Sequence, residues 1–289
     1  MRVGCHLSTS RGFETAVENA LALGGNFFQY FPKNPRSYRL KAVDEAAGKR
    51  GAEAARAAGV ETVAHSPYVT NLATYDPKLH ETTVASVVND LELTEALGTP
   101  WLVVHFGKHV GAGEEEGKHL MVETLDEILA TYRGSTLLLL ENTAGQGSEM
   151  GRTPAEWMEI VEAVRQPERL GLCLDTCHAF AAGVVDWRDA GSVSAFEEAL
   201  RSTGALPRIR VIHFNDSMVD FGGRRDRHQR LLQGFIGEEG LRRAATLPAF
   251  RDIPLCLETP VSEEREYGPE IALLRRWREE AEAAEAAQG

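Results

Sequence analysis

A single parallel (β/α)8 barrel of the TIM type is the fold this sequence predicts, and three observations point to it. Eight strand-like runs alternate with helix-like segments across short connections. Neither a Gly-x-Gly-x-x-Gly turn nor a Walker A sequence follows any run, although an open nucleotide-binding sheet usually carries one. Seven of the eight runs stop on His, Asp or Glu, and in a closed barrel the chemically active groups sit at the carboxyl ends of the strands. The 289 residues are expected to form one domain, 1–289, since barrels of about 250 residues are commonly single domains.

The elements follow in order. Arg2–His6 is a strand ending on His6, and Gly12–Leu23 is a helix with Phe13, Ala16, Val17, Ala20 and Leu21 on one face. Asn26–Phe31 is the one strand with no ligand-type residue at its end. The Ala-rich helix Val43–Ala58 stops at Gly59, a normal C-terminal stop. Strand Val60–His65 leads to helix Pro77–Leu97, which stops at Gly98, and strand Trp101–His105 follows. A Gly- and Glu-rich loop precedes helix Met121–Tyr132, and strand Thr136–Glu141 comes next. Thr153-Pro154-Ala155-Glu156 has the form of a capping box with proline in the first turn. Strand Leu170–Asp175, helix Ser192–Arg201, strand Ile209–His213, helix Glu239–Thr246, strand Pro254–Glu258 and helix Pro269–Ala287 complete the series. The Ala/Glu-rich stretch 279–289 is expected to fray.

No run approaches the roughly 20 apolar residues of a bilayer span, and the first residues lack the apolar core of a signal peptide, so a cytoplasmic protein without membrane contact is expected. Cys5, Cys173 and Cys256 fall inside strands and read as small buried hydrophobes, and no disulfide is expected. The net charge of −12 argues against broad attraction to phosphate polymers. A nucleic-acid partner would need local positive charge, which Lys33, Arg36, Arg39 and Lys41, or Arg224, Arg225, Arg227 and Arg230, could supply. Taken singly, each stretch reads equally well as a solvated loop. Nothing demands a dimer, so a monomer is expected.

Nine residues form the candidate site: His65, His105, Glu141, Asp175, His178, His213, Asp226, His228 and Glu258. A lone histidine at a strand end is more often a hydrogen-bonded structural residue, and a lone acid there is often a helix N-cap. Together they read differently, because clustered carboxylates repel and bury charge unless cations neutralise them. Five histidines and four carboxylates without a cysteine cluster suit Zn²⁺ or Mn²⁺, and the fold prediction therefore includes a metal site at the C-terminal ends of the strands. Nine ligands are too many for one ion and suit two or three. Adjacent divalent ions can activate water and stabilise a leaving oxygen during in-line attack on phosphorus, so hydrolysis of a phosphate ester is the natural chemistry. His6 is read as orienting a ligand; His109 is ambiguous, and His80 and His119 read as surface residues.

Six stretches together resemble the endonuclease IV family of zinc-dependent abasic-site endonucleases of base excision repair. They are Phe31-Pro-Lys-Asn-Pro-Arg36, His65-Ser-Pro-Tyr68-Val-Thr-Asn-Leu72, Glu141-Asn-Thr-Ala-Gly-Gln-Gly147, Asp175-Thr-Cys-His178-Ala-Phe-Ala-Ala-Gly183, His213-Phe-Asn-Asp216 and Asp226-Arg-His228. The resemblance spans nearly the whole chain and implies a (β/α)8 barrel with a trinuclear zinc centre held by the nine residues above, with Mn²⁺ an alternative at one subsite. It implies that Glu141 bridges ions, that Glu258 is a ligand assisting proton transfer, and that both are catalytic. Arg36 and Tyr68 match DNA-binding positions that enter the helix beside the lesion. The implied substrate is double-stranded DNA containing abasic sites, cut 5′ to the site to leave a 3′-OH and a 5′-deoxyribose phosphate, with 3′-end cleaning as a related activity. The chain departs from the family at Phe106, where members often carry Pro, and in the basic pair Arg224-Arg225.

Two other readings stay open on residues alone. A sugar isomerase or epimerase of related barrel type would be satisfied by Glu141, Asp175, His213 and Glu258, and would leave His178, Asp226 and His228 without a purpose. A lesion-binding protein that does not cut would use a closed, structural metal site.

Overall fold

Short aliphatic runs become strands here, and the Ala- and Leu-rich stretches between them become the helices that cover them. The computed structural model describes residues 1–287. In chain order the elements are β1 (Val3–His6), α1 (Phe13–Ala22), β2 (Phe27–Tyr30), α2 (Glu45–Ala58), β3 (Glu61–His65), α3 (Pro77–Ala96), β4 (Trp101–His105), α4 (Glu114–Thr131), β5 (Leu137–Glu141), α5 (Pro154–Ala163), β6 (Leu170–Asp175), α6 (Thr176–Ala181), α7 (Ala190–Ser202), β7 (Ile209–His213), β8 (Asp216–Ser217), β9 (His228–Gln229), α8 (Gly237–Ala245), β10 (Leu255–Leu257) and α9 (Tyr267–Ala286). Strands β1, β2, β3, β4, β5, β6, β7 and β10 pair in parallel and close into a barrel, with β10 back on β1. This is the predicted (β/α)8 fold. No helix among the described residues is long and apolar enough to cross a membrane.

The two-residue period of a strand sorts the side chains into layers. Phe27, Val63, Val103, Leu139, Cys173, Val211 and Cys256 fill the barrel interior, with Trp101 and Leu137 packed against them. Their chain neighbours, such as Phe28, Ala64, Leu102, Val104, Leu138, Leu140 and Leu172, point outward into the layer shared with the helices. Gly4 lets β1 approach β2: a Cβ there would lie 1.5 Å from the Phe27 carbonyl oxygen. All four cysteines, Cys177 included, are buried and unpaired.

Helix starts use the short polar residues that precede them. Asp44, Asp76 and Asp189 each accept a hydrogen bond from the backbone N–H three residues on, a cap worth about 1 kcal/mol. Thr153 caps α5 by accepting from Glu156 N. The reciprocal half of the predicted box is displaced by one residue, because the Glu156 carboxylate accepts from Arg152 N at 2.8 Å.

Four features differ from expectation. Helix α4 begins at Glu114 rather than Met121; the Glu-rich segment has no apolar stripe, but three acids in a first turn are favoured by the helix dipole. A short helix, α6, follows β6 directly, and a two-stranded antiparallel hairpin, β8 and β9, rises from the β7 connection. Glu258 stands one residue beyond the last strand. The tail expected to fray is helical as far as Ala286, and residues 288–289 lie outside the described residues.

Candidate metal centre

The layering that fills the barrel also builds its mouth. Two residues beyond each member of the interior apolar layer come Gln29, His65, His105, Glu141, Asp175, His213 and Glu258, on the same inward face. Strand register puts His105 beside Glu141 and Asp175 beside His213. Glu141 is the hub. Its Oε2 lies 3.1 Å from His65 Nε2 and 3.3 Å from His105 Nε2, and its Oε1 lies 2.8 Å from His213 Nδ1. His213 Nδ1 is also 3.1 Å from Glu258 Oε2.

The connections add the other three. Asp175 caps α6, its Oδ1 accepting from His178 N at 2.7 Å, while its Oδ2 faces His228 Nε2 at 3.4 Å. One oxygen of Asp175 thus serves as the N-cap, and the other is left facing the cluster. The cap fixes the turn that carries His178 inward. The hairpin presents His228, and Asp216 organises its base by accepting from Gly234 N and Ile236 N. Asp226 Oδ1 lies 3.2 Å from His178 Nε2 and 3.5 Å from His228 Nε2.

All nine predicted residues therefore converge, in three groups of which the first two share Glu141: His65, His105 and Glu141; Glu141, Asp175, His213 and Glu258; and His178, Asp226 and His228. A fourth grouping pairs Asp175 and His228 with Cys177. Burial pushes the Cys177 thiol up to about 12, and its Sγ donates to the Arg227 carbonyl, so in the metal-free chain the thiol is protonated.

Electrostatically the cluster is tightly interlocked. Burial alone would push the Glu141 carboxyl up, but His213 and His105, with hydrogen bonds from His213 and His65, hold it well below the carboxylate range. Burial works against a charged His178, and Asp175 and Asp226 outweigh it, raising its pKa well above the imidazole range. Burial lowers His105, despite Glu141 beside it.

The residues present fit divalent cations, and the outer edges of the imidazoles carry that judgement. His65 Nδ1 meets the Ser66 carbonyl at 2.7 Å, His178 Nδ1 the Asn142 carbonyl at 2.9 Å, and His228 Nδ1 the Glu258 carbonyl at 3.3 Å. His213 Nε2 donates to Gln29 Oε1 at 2.7 Å. Each outer edge held in this way leaves the other nitrogen facing the carboxylates, where a cation can take the place of its proton, the arrangement of metal-binding histidines. His178 Nε2 and His228 Nε2 approach to 3.2 Å; two ring nitrogens aimed at one point suit a shared cation.

Residues not singled out as functional from sequence support this ring. Gln29 donates to Glu258 Oε1 at 2.6 Å and to His6 Nδ1 at 3.1 Å, so His6 reaches the ligands through Gln29. Asn215 donates to Asp175 Oδ2 at 2.7 Å and accepts from Glu258 N at 2.9 Å. Asn142 accepts from Asp175 N at 2.6 Å. The two asparagines lie inside the motifs around Glu141 and His213; Gln29 was legible only from its inward parity on the strand without a terminal ligand. Of the remaining histidines, His80 pairs with Glu127, His119 pairs with Glu123, and His109 accepts from Gly113 N.

Arg36 is exposed on the rim, and Tyr68, 65% exposed, packs edge-on against Phe31 at 5.1 Å. The two basic stretches are less available than their composition suggests. Lys33 is buried against Asp90, and Arg230 is spent on Glu266 and Glu270. Arg36, Arg39, Lys41, Arg224, Arg225 and Arg227 remain exposed.

A family model described as a xylose isomerase-like TIM barrel matches residues 17–282. A probable endonuclease 4 of Symbiobacterium thermophilum is 49% identical over 278 residues, covering 95% of this chain and 99% of that protein. The crystal structure of endonuclease IV from Thermus thermophilus superposes with a TM-score of 0.82 at 39% identity, covering 97% of this chain and all of that one. A D-tagatose 3-epimerase-like protein is similar at a TM-score of 0.71 and 21% identity, a likeness of fold alone.

Proposed function

This chain belongs to the endonuclease IV family, and on that premise we propose that it is a DNA repair endonuclease that hydrolyses the phosphodiester 5′ to abasic sites, leaving a 3′-OH and a 5′-deoxyribose phosphate. The observation that carries the reading is the convergence of the nine His, Asp and Glu side chains in three adjacent groups at the barrel mouth. Three zinc ions held there, with Mn²⁺ an alternative at one subsite, would polarise the phosphodiester and make water acidic enough to attack near neutral pH.

The chain's own residues do the rest. Glu141 belongs to two of the groups and sets their spacing through its two oxygens. Glu258 has one oxygen fixed by Gln29 and the other beside His213, which suits it to accept a proton from the attacking water. Reaching a phosphate beside a missing base requires a bent duplex and an extruded sugar, at a cost of a few kcal/mol. Exposed Arg36 and Tyr68 can enter that distortion, the arginine touching phosphate and the ring stacking where the base is absent. Net charge of −12 is no obstacle, because cations at the mouth reverse the local field. Cleaning of blocked 3′ ends would use the same site.

An epimerase would leave the group of His178, Asp226 and His228 without work. The test is a duplex carrying one abasic analogue, incubated with zinc-loaded protein and with protein stripped by prolonged chelation. Nicking on the 5′ side, lost on stripping and regained with zinc, is expected. An uncut duplex with fully loaded protein would sink the reading.

A further inference from the structure

Lys33 and Asp90 form an ion pair inside the protein, with side chains 2% and 0% exposed. The Lys33 ammonium donates at 2.8 Å to the Ser86 carbonyl and at 2.8 Å to Ser86 Oγ, and lies 3.1 Å from Asp90 Oδ1. Ser86 thus takes two of its donors, and the Asp90 carboxylate faces it as an ion pair. Apart from that ammonium, the Asp90 carboxylate has no hydrogen-bond partner among the described residues. Burying two charges is unfavourable unless each is fully paired, and an apolar pair of similar volume would often serve stability as well. No hydrogen bond or ion pair among the described residues joins this pair to the candidate ligands, although His65 is near enough to act electrostatically on Asp90.

Its place in the chain supplies the purpose. Lys33 is three residues before Arg36, and Ser86 and Asp90 are on α3. Eight residues after Lys33, Lys41 N donates to Asn89 Oδ1 at 2.9 Å, and Asn89 Nδ2 returns a bond to the Lys41 carbonyl at 2.9 Å. The segment carrying Arg36 is therefore an arch with both feet on one face of α3. Within the arch, Asn34 Oδ1 accepts from Arg36 N at 2.9 Å, and the Pro35 carbonyl accepts from Tyr68 N at 2.9 Å. Arg36 and Tyr68 are held in one hydrogen-bonded unit pinned to α3.

We propose that Lys33 is a positioning residue for lesion recognition: its buried pair with Asp90, with Asn89 at the other foot, holds the Arg36 arch at a fixed offset from Tyr68 and the metal ligands. The inference rests on the proposed abasic-site reading and goes beyond it by assigning the fixed offset to α3. Lys33 acts through Arg36, so loosening the pair should act on lesion preference rather than on general DNA affinity.

The experiment removes both charges at once, Lys33→Met with Asp90→Leu, so that no orphaned carboxylate remains. Zinc content, the melting curve and Kd for intact and abasic duplexes are measured, with and without Arg36→Ala. The double variant should keep its zinc and its affinity for intact duplex and lose about tenfold of its preference for the abasic duplex, as a small misplacement remote from chemistry can do. In the Arg36→Ala background the same change should alter that preference by less than about twofold. Asn89→Ala, which frees the other foot, should reproduce the loss and decides the matter if the double variant does not fold. An unchanged preference in folded, zinc-loaded variants, or an equal loss with Arg36 already removed, would overturn the role of Lys33. Wild-type protein without any abasic preference would overturn the underlying reading instead.

Discussion

Six of the nine candidate ligands stand at strand ends, whereas His178, Asp226 and His228 stand on the connections. The two regions meet in one cluster but are held by different physics. The strand-end group inherits its positions from the barrel: backbone pairing aligns His105 with Glu141 along an unbroken register and Asp175 with His213 beyond one register shift at Leu172/Cys173. The connection group rests on a six-residue helix, a hairpin of two two-residue strands and individual side-chain bonds. Backbone strain divides along the same line. Among the described residues, Val110, Arg224 and Leu232 are the non-glycine residues with positive φ, and the last two flank Asp226 and His228 in sequence. Asp226 is also 40% exposed, where Glu141 is buried. The first region is preorganised by the fold, and the second is added to it.

That contrast can be sharpened by experiment. Glu141→Gln should have the largest effect, because Glu141 serves two groups at once; activity should fall well beyond the roughly 10- to 100-fold that follows loss of an outer residue orienting a metal ligand. Retention of full zinc content and activity in that variant would remove Glu141 from the hub. Asp226→Asn touches only the connection group and, on the proposed three-ion centre, should release one ion, with an activity loss of about 100-fold or less. Elemental analysis showing all the metal gone would mean that the two regions are not separable.

A pH experiment probes the metal-free chain. His178 has its pKa raised above the ordinary imidazole value by Asp175 and Asp226 against the opposing effect of burial. Its contribution to stability is therefore complete below about 6.5, the unfolded value, and is lost as pH rises through the folded value. Stripped protein should become less stable from pH 6.5 upward. Zinc-loaded protein should show the opposite slope, since cations bind the neutral imidazole. Parallel slopes in the two forms would break the assignment.

The smallest effect concerns strain alone. Leu232 is 44% exposed at φ 71° in a turn where Gln233 N donates to the Arg230 carbonyl. Glycine adopts that conformation freely, so Leu232→Gly should stabilise the protein by about 1 kcal/mol. A drop in melting temperature would mean that the leucine makes contacts outweighing its backbone cost.

Sequence reading reached the barrel because two periodicities, alternation in strands and a one-face stripe in helices, are local properties of the chain. It reached the nine candidate ligands because polar residues closing apolar strands stand out, and because the motifs around Glu141 and Asp175 are long. It missed the first turns of α4, where a helix start made of Glu114, Glu115 and Glu116 has no apolar stripe to announce it. It also misjudged Lys33, whose place in a basic run suggested solvent and phosphate rather than a pocket under the rim.

By itself, then, the sequence determined which residue types end which strands, and through strand parity which of them face inward. Only the tertiary structure decided that Gln29, Asn142 and Asn215 bond to the candidate ligands, that Cys177 donates to the Arg227 carbonyl, and that Lys33 meets Asp90. The physical reason is range. Parity and amphipathicity are set within a few residues, whereas a hydrogen bond such as His213 to Gln29, 184 positions apart, exists only once the barrel has closed.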